Sequence, residues 1–219
     1  MACREQGVRK EAGPANTAAH VMDNEPYPAV HEFAAQAFFR AVSPGSDSVS
    51  EHFYTDANDA NRMYHIRAGR IFSKRDTAAF RLHTENDTTI IATLYSYQEG
   101  FWKETDTIAM HIYRFSPSDL RISYADHDFD GYTDVFINCY TSMGLAQGFG
   151  YLLTYSPAER ALVLHPETIA IPDLEIDKAA RMLVSKTTDR QSTKWMIRYY
   201  KWVHDSLQLH SEKTIPIRH

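Results

Sequence analysis

Apolar positions recur along this chain with two periods, and the change from one to the other falls near residue 62. Before that point Val30, Phe33, Ala34, Ala37, Phe38 and Ala41 are spaced i, i+3, i+4, i+7, i+8 and i+11, which gathers them on one face of a helix. The spacing predicts a helix over 28–42, opened by Pro28 and ended by Ser43-Pro44-Gly45-Ser46. Beyond it the period is two. Strands are predicted over 63–72, 77–83, 88–97, 107–115, 120–125, 134–140, 149–155, 161–165, 181–186, 194–203 and 207–212. In the tenth of these, Trp195, Ile197, Tyr199 and Val203 oppose Met196, Arg198, Tyr200 and Trp202. Turn residues stand between the runs, among them Glu99-Gly100, Ser156-Pro157-Ala158-Glu159 and His204-Asp205-Ser206. Short strands so spaced predict a mainly β chain, an antiparallel β-sandwich or strongly twisted sheet with one N-terminal helix.

Composition sharpens this picture in three places. At 219 residues and 43% hydrophobic, the chain can bury one sizeable core or two small ones. Residues 1–26 hold almost no large apolar side chains and read as a polar tether, leaving 27–219 as a single β-rich domain. A net charge of −5 with scattered basic residues argues against a nucleic-acid-binding surface. No run approaches the 18 or so apolar residues of a transmembrane helix. Any hold on a membrane would come from Cys3, placed near the start and followed by the polar stretch, as in a lipoprotein whose signal sequence has been cut away. An incidental cysteine in a tail is the competing reading, and both stay open. Cys139 lies in an apolar run and is expected in the core.

The stretch richest in chemistry is Asp126-His127-Asp128-Phe129-Asp130-Gly131-Tyr132-Thr133-Asp134. Carboxylates on alternate residues of a tight loop suit a hard cation that takes six to eight oxygens, and a central glycine permits the sharp turn. The expected Ca²⁺ ligands are Asp126, Asp128, Asp130, the backbone carbonyl of Tyr132, and Asp134 as the closing ligand. The twelfth position, where a full helix–loop–helix site has a glutamate, is Ile137. This loop therefore feeds a strand. The competing reading is a solvated acidic turn.

From that loop onward the order of landmarks resembles a known family. After the loop come the strand Val135 to Tyr140, a Gly-containing loop, the aromatic run Gly150-Tyr151-Leu152-Leu153-Thr154-Tyr155 and then Ala161 to His165. Ile176-Asp177, Met182-Leu183-Val184 and Tyr200-Lys201-Trp202-Val203 follow, the last turning through Asp205-Ser206 into Leu207-Gln208-Leu209. Over about 121–212 this is similar to bacterial periplasmic inhibitors of lysozyme and to the calcium-bearing immunity proteins related to them. The resemblance implies an envelope protein in the periplasm or on the outer surface, with a lysozyme-like or other peptidoglycan hydrolase as partner. It also implies a contact loop carrying Ser142, Gly144, Gly148, Gly150 and Tyr151. An ordinary Gly-rich hairpin with Tyr151 packed in the sheet is the alternative.

No catalytic constellation emerges. The Gly-x-Ser-x-Gly elbow and the nucleotide-binding glycine loops are absent from the sequence. The 11 histidines are dispersed without zinc-site spacing, and carboxylate pairs such as Glu104/Asp106 need tertiary proximity to act as acid and base. Two function classes remain. One is a non-enzymatic inhibitor or immunity protein; the other is a calcium-stabilised module for glycan or another surface ligand, using exposed aromatics such as Tyr97, Phe101 and Trp102.

Overall fold

A computed structural model of the chain describes residues 8–9, 49–55, 63–86, 88–112, 120–142, 147–188 and 193–217. Every sheet in it is antiparallel, and no α-helix occurs among the described residues. The helix expected over 28–42 and Cys3 lie outside them. No described helix is long and apolar enough to cross a membrane. Fourteen strands are named below in chain order.

The backbone groups into two compact units, one made of 7–111 with 156–162, the other of 1–6, 112–155 and 163–219. The first holds sheet A, ordered β1-β6-β5-β4-β3-β2. Its strands are β1 (Val8–Arg9), β2 (Ser50–Thr55), β3 (Met63–Gly69), β4 (Ala78–Asn86), β5 (Thr89–Gln98) and β6 (Phe101–His111). Glu99 and Gly100 join β5 to β6 with φ of 52° and 90°, the left-handed pair that matches the twist of a tight hairpin. Ile66, Phe80, Leu82, Ile90, Leu94 and Met110 are all buried here. β2 and β1 were not expected: Ser50–Thr55 carries Glu and His among its apolar residues, and its partner β3 decides its state. Asp106 is buried, with Oδ2 accepting from the Leu162 N–H at 2.9 Å and Oδ1 from Thr107 N–H at 3.0 Å. Glu104 is exposed and accepts from the Thr107 hydroxyl at 2.8 Å. The two carboxylates thus hold separate structural bonds.

The second unit contains sheet C and sheet B apart from Ser156, Ala161 and Leu162. Sheet B is ordered β10-β9-β8-β7, from β7 (Arg121–Ala125), β8 (Asp134–Thr141), β9 (Gly148–Ser156) and β10 (Ala161–His165). A 3-10 turn over Pro166–Ala170 leads to sheet C, β11 (Leu174–Asp177), β12 (Met182–Thr188), β13 (Lys194–Val203) and β14 (Ser206–Pro216), in that order. One apolar cluster joins the sheets: Phe136 and Leu152 from B meet Leu174, Leu183 and Leu207 from C, with Ile171 between and Phe129, Tyr200 and Trp202 against them. Tyr200 and Trp202, on one face of β13, pack against this core, and Trp195 on the other face stays 42% exposed. β11, with four residues, is too short for its sequence to show a period.

Candidate metal centre

Strands β7 and β8 pair up to Ala125 opposite Asp134, so residues 126–133 are the connection of a hairpin. Phe129 and Gly131 take φ of 65° and 94°. A side chain at 131 would meet nothing within 4 Å; the backbone conformation, not space, calls for glycine there. The chain folds back on its own carboxylates. Gly131 N–H donates to Asp126 Oδ2 at 3.1 Å, Asp130 N–H to Asp128 Oδ1 at 3.1 Å, and Tyr132 N–H to Asp130 Oδ1 at 2.8 Å. The result is that one oxygen from each of Asp126, Asp128 and Asp130 lies within 4.8 Å of the other two, a group able to hold a metal ion.

Two features show strain in this group when only protein surrounds it. Asp126 Oδ1 is buried and has no hydrogen-bond partner, and a buried unpaired acceptor is costly. Burial pushes the Asp128 carboxyl up to about 6, and the Asp130 and Asp126 charges add to the shift. A bound cation relieves both, and a set of carboxylate oxygens fits a hard one.

Asp134 has a different place from the one its position predicted. It is fully buried; Oδ2 accepts from His127 N–H at 2.7 Å and Asp128 N–H at 3.3 Å, while Oδ1 accepts from Tyr155 N–H at 3.0 Å. It stands outside the three-carboxylate group, and both its oxygens are engaged by backbone. It ties the start of the loop to β8 and β9. Burial pushes it up to about 8, the Asp128 charge adding to this and the three N–H donors opposing it. Tyr132 is half-buried, its ring 6.1 Å from that of Tyr155.

Sheet C grips the same loop through residues the sequence reading did not single out as site residues. The Trp202 indole donates to the His127 carbonyl at 2.9 Å, and its ring meets His165 edge-on at 4.7 Å. Arg181 donates to the Phe129 carbonyl at 2.6 Å and lies over the Phe129 ring. His127 is itself buried, its Nδ1 2.9 Å from Ala125 O. Trp202 had a signal, its place in the aromatic β13 run. Arg181 had none.

The expected contact loop is only partly brought together. Gly144 lies outside the described residues. Ser142, half-buried, closes the loop by donating its N–H to Gln147 O at 2.8 Å. Gly148 exchanges two bonds with Asp173: its N–H donates to Oδ1 at 2.7 Å and its carbonyl accepts from Asp173 N–H at 2.8 Å. A Cβ at Gly148 would fall 2.6 Å from Asn138 Oδ1, and one at Gly150 would run into the Ile137 carbonyl. Gly150 therefore serves close strand approach beside the bulge at Asn138/Tyr140, while at Gly148 it is the Asn138 side chain that takes up the space. Tyr151 is corrected outright: at 1% exposure it is a core residue of β9, because β9 is covered on both faces and its alternation has no solvent side. Cys139, expected in the core, is fully buried there, and burial pushes its thiol up to about 12. Such a thiol is inert.

No family model, curated protein or solved structure matches this chain.

Proposed function

We propose that this chain is a calcium-stabilised, non-catalytic protein of the bacterial envelope that binds and inhibits a peptidoglycan-cleaving, lysozyme-like enzyme, as a lysozyme inhibitor or an effector immunity protein. The observation that carries the metal half is the convergence of Asp126, Asp128 and Asp130 around a buried, unpartnered Asp126 Oδ1. Oxygen donors alone favour Ca²⁺ over softer metals, and the Tyr132 carbonyl is a further donor of the right kind. The ion acts by neutralising the hairpin that Trp202 and Arg181 pin to sheet C. Calcium at extracellular levels suits a short loop of this type, which favours a location outside the cytoplasm.

The partner half rests on the order of landmarks from Asp126 to about residue 212. It also rests on a loop between β8 and β9 whose ends are braced by Ser142–Gln147 and Gly148–Asp173. A braced loop loses less entropy on binding than a slack one. With Tyr151 buried, contact falls to the loop itself, from Ser142 to Gln147. The test is protection of peptidoglycan from lysozyme-like hydrolases by purified protein in Ca²⁺, paired with calorimetry of Ca²⁺ binding. Inhibition that is lost on replacing 143–146 by a Gly-Ser linker, with melting unchanged, is the expected result. Absence of inhibition across host and animal enzymes sinks the partner reading. Absence of calcium binding sinks the metal reading.

A further inference from the structure

The face of sheet C turned away from the core carries a groove that the metal centre and the contact loop do not use. It has a volume of about 330 Å³ and is lined by residues including Glu175, Asp177, Lys178, Val184, Lys186 and Tyr199, within the size range of small-ligand sites. The register explains how they meet. Glu175 pairs with Val184 and Val184 with Tyr199, so the three stand side by side on one face of β11, β12 and β13. Val184 is buried and forms an apolar floor, and the half-buried Tyr199 ring forms a wall.

We propose that this groove is a carbohydrate subsite that takes a pyranose ring of a neutral polysaccharide. The argument is one of complementarity. Two carboxylates, Glu175 and Asp177, and two ammonium groups, Lys178 and Lys186, line the same small space beside an aromatic wall. A polyanion would meet the carboxylates, a polycation would meet the lysines, and an apolar side chain would strip water from four charged groups. A neutral hydroxylated ring satisfies all of them. Its hydroxyls donate to carboxylates and accept from ammonium groups, while its C–H face lies on the tyrosine. The Lys186–Glu175 pair, 3.4 Å apart and exposed at both ends, is weak enough to open for such a ligand.

The platform continues along β13. Trp195 lies on the same face four residues from Tyr199, roughly 13 Å along the strand, and is 42% exposed. Between them Ile197 pairs with Lys186 on one side and Lys213 on the other. Lys213, outside the groove lining, also stands 4.9 Å from the centre of the Tyr199 ring, reaching it from β14, whereas the residues that line the groove beside Tyr199 come from β11, β12 and the turn between them. Two aromatic stations on one strand, flanked by donors, suit an extended chain of rings.

This site is independent of the metal and of any hydrolase partner. Titration with chitotetraose and cellotetraose, followed by NMR of the full chain in Ca²⁺, tests it and separates an N-acetylated glycan from a plain hexose polymer. Shifts on β12 and β13 are expected with at least one of them, and Tyr199→Ala and Trp195→Ala should each weaken binding about tenfold. Trp195 is exposed, so its replacement leaves the core packing intact. No binding of either sugar, or binding that both variants leave unchanged, overturns the proposal.

Discussion

Asp134 and Asp128 are the same residue type six positions apart, yet their surroundings assign them different work. Asp134 accepts three backbone N–H groups in a fully buried site. Asp134→Ala strands those donors and should lower stability by about 3 kcal/mol, in chelator as well as in Ca²⁺. Asp128→Ala should leave chelated stability nearly unchanged or raised, since it removes a carboxyl that its neighbours repel, and should abolish the rise in melting temperature with Ca²⁺. Denaturant melts of both variants under both conditions check this; matching behaviour would mean that the two carboxylates share one role. Protons and a bound cation would compete for Asp128, whereas Asp134 titrates outside the three-carboxylate group. Burial raises the folded pKa of Asp128 to about 6 and of Asp134 to about 8, above the unfolded value of about 4. The stability tied to their protonated forms is therefore complete below about pH 4 and is lost as pH rises through those two values. In chelator the melting temperature should fall between about pH 4 and about pH 8 from this source, and Ca²⁺ should flatten the part due to Asp128, up to about pH 6, leaving the part due to Asp134. A His83→Gln variant gives the opposite sign at lower pH. Burial lowers His83 to about 3, so the wild type loses stability as pH falls below about 6.5, and the variant should lose less.

At the scale of elements, the metal hairpin is held by strands distant in sequence. Trp202 reaches 75 residues back to the His127 carbonyl, and Arg181 reaches 52 back to that of Phe129. Trp202→Phe keeps the ring against His165 but removes the indole donor. It should cost about 1 kcal/mol of stability and weaken Ca²⁺ binding measurably in calorimetry. Unchanged affinity would mean that the hairpin is shaped without sheet C. β8 and β9 make a second such case. Gly150 admits no Cβ because the Ile137 carbonyl occupies that place, so Gly150→Ala should destabilise by about 1–3 kcal/mol, read from chemical denaturation. The resemblance over 121–212 implies that Gly150 and Tyr151 are contact residues. The sheet uses them for packing. Strand periodicity could not reveal this, since an alternating run looks the same whether its second face meets solvent or another layer.

For the molecule as a whole, the three-carboxylate group lies in one of two compact units. Hydrogen exchange should therefore show Ca²⁺-dependent protection in β7, β8, β9 and the β13–β14 hairpin, with little change in sheet A. Protection spread evenly through β3 to β6 would contradict that division. A ligand at a hundredfold excess over its Kd adds about 2.7 kcal/mol to a native state, which is ample for such a difference.

The sequence by itself determined what local physics decides. Alternation placed β3 to β5, β7 to β10 and β12 to β14 within about four residues, because side chains on successive strand positions point to opposite faces, but it began β6 at 107, six residues after its start at Phe101. The Asp-x-Asp-x-Asp-Gly run marked a group able to hold a metal ion, because Asp126, Asp128 and Asp130 converge through turns made by their own neighbours. The tertiary structure decided everything that depends on a partner far along the chain. It took Asp134 out of the ligand group for Tyr155, buried Tyr151, brought Trp202 and Arg181 to the loop, and set Glu175, Lys186 and Tyr199 beside one another. Burial and long-range register are properties of packed layers, and no local pattern encodes which layer will cover a strand.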